Sequence, residues 1–269
     1  MSTYTIRRLA ETDRAAVLAF LHQDPANNLF LTGDMAAFGI SSPRIAFWGA
    51  FQGDAWAGVA MLLDGNACFY APDRRCLPAL LSPVEQAHHL SGEAGLIDDV
   101  LALLPAERVA NASSEYFCRL AAQDLHPAQV GGVRRAVPAD IPLLADLYAQ
   151  GETFRQATRR HVVEHLERQM AASRYYLAQV DGQAVSAAAA VAETEESAMI
   201  VAVLTAPAAR NRGYARGVVS ALCADLLGRG KTPHLFYAED NDTAGRVYQR
   251  IGFHRIGRWK LVRLLAASS

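Results

Sequence analysis

The sequence predicts an α+β chain of two tandem domains, each a mixed, mostly antiparallel sheet flanked by helices, and three observations carry that prediction. Strand-like and helix-like patterns alternate through the second half. Two short motifs recur at nearly the same separation. One run, Val201 to Phe253, reads as strand, turn, helix, strand and short helix. At 269 residues, 51% hydrophobic and 20% charged, the chain can bury a large core, which excludes disorder and fibrous repeats and favours two domains over one.

The recurrence comes first along the chain. Arg7-Arg8-Leu9-Ala10-Glu11-Thr12-Asp13 returns as Arg134-Arg135-Ala136-Val137-Pro138-Ala139-Asp140, a short strand followed by an aspartate placed to cap a helix, 127 residues on. Phe47 to Phe51 with Gln52-Gly53-Asp54 returns as Tyr176 to Val180 with Asp181-Gly182-Gln183, a hairpin signature 129 residues on. The matched offsets imply two similar domains, 1–130 and 132–269, meeting near Gln129-Val130-Gly131-Gly132. After Cys68-Phe69-Tyr70 the first domain has no counterpart of the Arg-x-x-Gly-x-Ala run found in the second.

In the second domain, Pro138 to Leu147 and Ala157 to Met170 read as helices. Tyr175 to Val180, Gln183 to Val191 and Ser197 to Thr205 read as strands. Gly213 to Leu227 carries a helical stripe of Val218, Val219, Leu222, Leu226 and Leu227, closed by Gly228-Arg229-Gly230. His234 to Ala238 is a strand, Thr243 to Ile251 a helix stopped by Gly252, and a last strand starts at Phe253.

The longest apolar runs fall far short of the roughly 20 residues of a membrane span, and charged residues from Arg7 to Arg14 interrupt any signal segment. Cys68, Cys76, Cys118 and Cys223 show no CxxC spacing, so a reducing cytoplasm is expected, without a membrane partner. From Thr205 to Ser269, 11 Lys and Arg face 4 Asp and Glu, about +7, against about −8 for the remainder. A basic segment within a chain of net charge −1 suits a small polyanion better than nucleic acid.

That polyanion has a place to bind. Met199 to Leu204 is apolar on both faces, as in a central strand, and Pro207 cannot donate a ladder hydrogen bond, so the strand is expected to release its neighbour there. Arg210-Asn211-Arg212-Gly213-Tyr214-Ala215 then sets successive N–H groups at a helix start, where the dipole favours phosphate, with Arg216 adding charge. Arg-x-x-Gly-x-Ala alone is a weak signal, and an ordinary helix start with solvated arginines has the same residues.

The ordered combination, Val203 to Ala215 with Leu235 to Phe253, resembles the GNAT superfamily of acyl-CoA-dependent N-acyltransferases, and is close to its glycine N-acyltransferase-like branch. The resemblance covers about residues 132 to 265, and the first half resembles only a degenerate copy. It implies acetyl-CoA or another short acyl-CoA as co-substrate, no metal, and an amine acceptor, small-molecule or peptide. Backbone groups of Val203, Leu204 and Thr205 would hold the pantetheine arm, the turn from Arg210 to Ala215 the pyrophosphate, and Asn241 the cofactor arm. Tyr248, in the context Tyr-x-x-x-Gly-Phe, would protonate the departing thiolate. Asn241 also suits a helix cap, and Tyr248 a packing role.

The strand before the turn carries no glutamate to serve as base; Glu193, Glu195 and Glu196 read as a solvated hairpin turn, and Glu239 is the nearest candidate. His161-Val162-Val163-Glu164-His165 matches a zinc-peptidase pattern, with Glu239 or Asp240 as conceivable third ligand, and also an exposed polar helix. A non-catalytic acyl-CoA-binding or regulatory module remains open, as does homodimer formation. Acceptor choice would fall to Gln150-Gly151-Glu152-Thr153-Phe154 and the following helix, which carry no decodable signature.

Overall fold

The chain divides at Phe117 and not between residues 130 and 132: one unit is Met1–Tyr116 with Gly257–Ser269, the other Phe117–Ile256. The computed structural model describes residues 3–151, 157–171 and 173–265.

In the first unit, β1 (Thr5–Arg8) leads through a 3-10 turn into α1 (Arg14–Leu21) and α2 (Leu29–Phe38). Then come β2 (Ile45–Gln52), β3 (Ala55–Leu63), β4 (Asn66–Tyr70), the short α3 (Leu77–Leu81), β5 (His89–Glu93), α4 (Ala94–Leu101) and β6 (Val109–Arg119). Strands β1 to β4 pair antiparallel in chain order, and β5 joins β4 in parallel. Alternation along β3 explains why helices cover both faces. Val59 and Met61 pack with Val17, Phe20, Leu31 and Met35 of α1 and α2. Ala60 packs with Leu77, Leu80, Leu96 and Ile97 of α3 and α4.

The second unit repeats the scheme with β7 (Val133–Arg135), α5 (Ile141–Tyr148), α6 (Arg159–Met170), β8 (Arg174–Val180), β9 (Gln183–Val191), β10 (Ser197–Thr205), α7 (Tyr214–Gly228), β11 (Thr232–Ala238) and α8 (Asp242–Ile251). Strands β7 to β10 pair antiparallel, and β11 joins β10 in parallel. The hairpin turn expected at Asp181-Gly182 forms with φ of 47° and 79°, the left-handed pair of a two-residue turn. Leu144, Tyr148, Val162 and Leu166 of α5 and α6 pack on Tyr175, Leu177, Ala187 and Ala189. On α7, Val218, Val219, Leu222 and Leu226 are wholly buried, each contributing about 1.5–3 kcal/mol.

The final strand, β12 (His254–Leu264), explains the boundary. It starts in the second unit, and Trp259–Arg263 pairs antiparallel with β5 of the first. Strand β6 likewise starts in the first unit and ends in the second, where Leu120 donates to the Pro233 carbonyl at 3.0 Å. Each unit is thus a mixed, mostly antiparallel sheet with flanking helices.

The expected forward caps at Asp13 and Asp140 are a different device. Each aspartate ends a 3-10 turn and reaches back, Asp13 to the Ala10 N–H and Asp140 to the Val137 N–H. The expected helix from Pro138 is this turn followed by α5.

Candidate acyl-CoA site

Strand β10 departs from regularity at the expected cleft. It is fully buried from Ala198 to Ile200, but Ala202 is exposed. The ladder with β11 runs from Ser197–Thr232 to Ile200–Leu235, although both strands continue. The strands therefore part well before Pro207, the expected point of release. The cause is a bulge: the register with β9 shifts between Val201 and Leu204, and Ala202 takes φ of +54°, a left-handed conformation costing about 1–2 kcal/mol for a residue with Cβ.

Two side-chain hydroxyls hold the bulge. Tyr148 of α5 donates to the Ala202 carbonyl at 2.9 Å. Ser186 of β9 donates to the Leu204 carbonyl at 3.1 Å and lies 2.8 Å from the Thr205 hydroxyl. Neither residue was singled out from the sequence, although Ser186 is a polar residue inside the buried run Ala184–Ala190.

Beyond the bulge, Pro207–Ala209 forms one 3-10 turn, Asn211 takes φ of +61° and Gly213 φ of +82°. α7 then starts at Tyr214 with no side-chain cap on its N–H groups. Arg210, Asn211, Arg212 and Gly213 are exposed, and Tyr214, Ala215 and Arg216 half-buried. Arg210 Nε reaches the Thr205 carbonyl at 3.4 Å, while Arg216 Nε is buried without an acceptor among the described residues. Amides, helix dipole and guanidinium groups thus gather at one helix end, a setting that favours phosphate.

Asn241 caps α8, its Oδ1 accepting the Ala244 N–H at 3.0 Å. At the other end Gly252, with φ of +111°, closes the helix through its N–H to the Tyr248 and Gln249 carbonyls. Tyr248 faces inward, 7% exposed, its ring 5.6 Å from Tyr237 and 6.0 Å from Phe253. It lines a cavity of about 380 Å³ with Cys118, Tyr237, Gly245, Phe253, His254 and Arg255. Burial raises its phenol well above 10, with Cys118, Cys223 and Tyr237 adding to the shift, so the group stays protonated at neutral pH. Its ring stacks on neither Val203, Leu204 nor Thr205: α8 meets α7, and the pseudo-strand lies on β10.

Glu239 is half-buried in the turn after β11. Glu193 is not the solvated turn residue expected. It lies 3.1 Å from Arg174, 3.5 Å from Lys231 and 3.6 Å from Arg229, because these cations converge on it from β8 and from the loop after α7. His161 and His165 lie on α6, but Glu164 pairs with Arg160, and no group of three His, Cys, Asp or Glu gathers to hold a metal among the described residues. The residues present do not form a zinc-peptidase site. Of the acceptor segment, Gln150 and Gly151 are described, and 152–156 lie outside the described residues.

All four cysteines are free and buried. Burial pushes the Cys68, Cys76 and Cys118 thiols up to about 12, and raises Cys223 further. Such thiols are poor nucleophiles and poor acyl carriers at neutral pH.

In the first unit, β4 ends Tyr70-Ala71-Pro72 as β10 ends Thr205-Ala206-Pro207. There, however, α3 has 5 residues against 15 for α7. The Glu93 carboxylate takes the Gly95 and Leu96 N–H groups at the start of α4, each at 2.8 Å, and Arg74 at 3.2 Å. An internal anion fills that helix end.

Comparison with known proteins agrees with this geometry. Residues 177–264 match the family described as FR47-like protein. No curated protein is detectably similar to the chain. Among solved structures, a tandem GNAT protein from the clavulanic acid biosynthesis pathway superposes with a TM-score of 0.65 at 14% identity, covering 99% of this chain and 100% of that one. A GCN5-related N-acetyltransferase from Sphaerobacter thermophilus gives 0.64 at 16%, covering 97% and 95%. A GNAT-family acetyltransferase from Colwellia psychrerythraea gives 0.61 at 14%, covering 97% and 100%. The fold is that of the GNAT acetyltransferases, and it spans the whole chain as two GNAT-like domains. No helix among the described residues is long and apolar enough to cross a membrane.

Proposed function

We propose that this protein moves an acetyl or other short acyl group from its CoA thioester to an amine, and that the second unit carries the reaction. The supporting observation is the early parting of β10 and β11 after Ile200–Leu235, directly followed by the Ala202 bulge and the uncapped start of α7. The pantetheine arm would lie against Val203 to Thr205, and the pyrophosphate against the turn Arg210 to Ala215. The amine nitrogen attacks the thioester carbonyl carbon, the C–S bond breaks, and Tyr248 gives its proton to the departing sulfur. A tyrosinate left in so buried a place is costly, so proton return must follow promptly. The inert cysteines favour direct transfer over an acyl-cysteine intermediate. Glu239 is assigned as the base that receives the amine proton, directly or through water. The first unit, its helix end filled by Glu93, is read as a degenerate copy that no longer binds CoA.

The test is CoA release from acetyl-CoA with a panel of small amines and peptides, for wild type, Tyr248→Phe and Glu239→Gln. Turnover that falls about 100-fold in Tyr248→Phe supports the assigned acid. Tight acetyl-CoA binding without turnover for any amine replaces this reading with a non-catalytic binding module.

A further inference from the structure

The bulge in β10 is over-determined by side chains that touch nothing else in the proposed cleft. In a planar trans peptide, the carbonyl of one residue and the N–H of the next point in opposite directions. Tyr148, donating to the Ala202 carbonyl at 2.9 Å, therefore turns the Val203 N–H away from α5. Ser186, donating to the Leu204 carbonyl at 3.1 Å, turns the Thr205 N–H away from β9, to the side where β11 has already departed. Both hydroxyls are well placed to do this. Tyr148 is 5% exposed with its ring edge-on to Tyr175 at 6.5 Å, and Ser186 is 0% exposed. In a regular strand these carbonyls would be set by neighbouring backbone, and a residue with Cβ would not hold φ of +54° at Ala202.

We propose that Tyr148 and Ser186 are positioning residues that jointly aim the Val203 and Thr205 N–H groups at the thioester carbonyl oxygen, where negative charge develops as the amine adds. The assignment rests on the acyl-transfer reading above. Neither residue touches the substrate; each acts through a peptide plane of β10. Donors fixed in advance at a developing oxyanion act mainly on the chemical step, so their effect falls on kcat and much less on binding.

Three measurements on the full-length protein test this, using Tyr148→Phe, which keeps the ring, and Ser186→Ala. With acetyl-CoA and the best amine, each variant is expected to lower kcat about 10-fold to 100-fold, with KM for acetyl-CoA changed less than about threefold. Isotope-edited infrared spectra of acetyl-CoA labelled at the thioester carbonyl should show a stretch lowered on binding wild type and returned toward its solution position in both variants. In ligand-free protein, the Val203 amide resonance should move in Tyr148→Phe and the Thr205 amide in Ser186→Ala, while signals far from β10 stay in place. Unmoved amides overturn the clamp regardless of activity. Moved amides with unchanged kcat and carbonyl stretch overturn its catalytic role. A wild type that moves the amides as expected yet never releases CoA sinks the acyl-transfer reading, and with it the catalytic role, but leaves the two hydrogen bonds established.

Discussion

Arg134 donates to both carboxylate oxygens of Asp140, each at 2.6 Å, and Asp140 in turn accepts the Val137 N–H at 2.8 Å. The same three-part joint stands 127 residues earlier, where Arg7 grips Asp13 at 2.8 and 2.7 Å and Asp13 accepts the Ala10 N–H at 2.9 Å. Each joint ties the first strand of its unit to its first helix, so the two units share a device as well as a topology. Asp140→Asn is expected to cost about 1–3 kcal/mol in urea unfolding, through one weakened charged hydrogen-bond set. Asp13→Asn should cost less, because the Asp13 side chain is 17% exposed against 7% for Asp140. Equal losses would show that exposure does not govern the joint.

The turn before α7 yields a binding prediction. Arg210 and Arg212 are exposed and extend toward the open helix end. Replacing both by Ala should raise KM for acetyl-CoA about 10-fold with kcat within about twofold, since phosphate contacts far from the thioester act equally on ground and transition states. The loss should shrink as salt rises, because wild-type binding is itself screened. Steady-state kinetics at two ionic strengths decides it, and a fall confined to kcat would count against a pyrophosphate role.

The strands and helices of the second unit were legible because each follows a local rule. Asp181-Gly182 dictates its hairpin, the Val218–Leu226 stripe its helix, and Gly252 its stop. The cofactor turn was legible for the same reason. Three things were not, and all depend on residues distant in sequence. The parting of β10 from β11 is set by a bulge that Tyr148 holds from 54 residues away. The burial of Glu193 comes from cations on β8 and after α7. The boundary at Phe117 follows from β6 and β12 each ending in the other unit, which no local pattern could announce.

Gly252 is the most constrained position at the site. Its φ is +111°, and a Cβ there would lie 1.8 Å from the Asp124 carbonyl oxygen, so the neighbouring backbone, and not a flexible side chain, would have to move. The same crossing carries the His126 N–H to the Ile251 carbonyl at 2.8 Å. Gly252→Ala should therefore cost about 3 kcal/mol or more, well above an ordinary glycine-to-alanine change. Gly213→Ala, also left-handed but with nothing within 4 Å, should cost only about 1–2 kcal/mol. Thermal unfolding of the two variants side by side separates strain from collision, and similar losses would contradict the close crossing.

Asp34 supplies the sharpest pH prediction. It lies on α2 near the Cys68 thiol, and burial raises its carboxyl to about 7. A raised folded value means the folded state holds a proton that the unfolded chain releases near 3.9. Its favourable share of stability is therefore complete below about pH 4 and is lost as pH climbs through about 7. Asp34→Asn, which keeps the shape and cannot ionise, should leave stability near pH 4 almost unchanged and raise it by about 1–3 kcal/mol above pH 8. Urea unfolding of both proteins at pH 4, 6 and 8 reads the difference directly. Parallel curves across that range would mean Asp34 ionises freely in the folded protein.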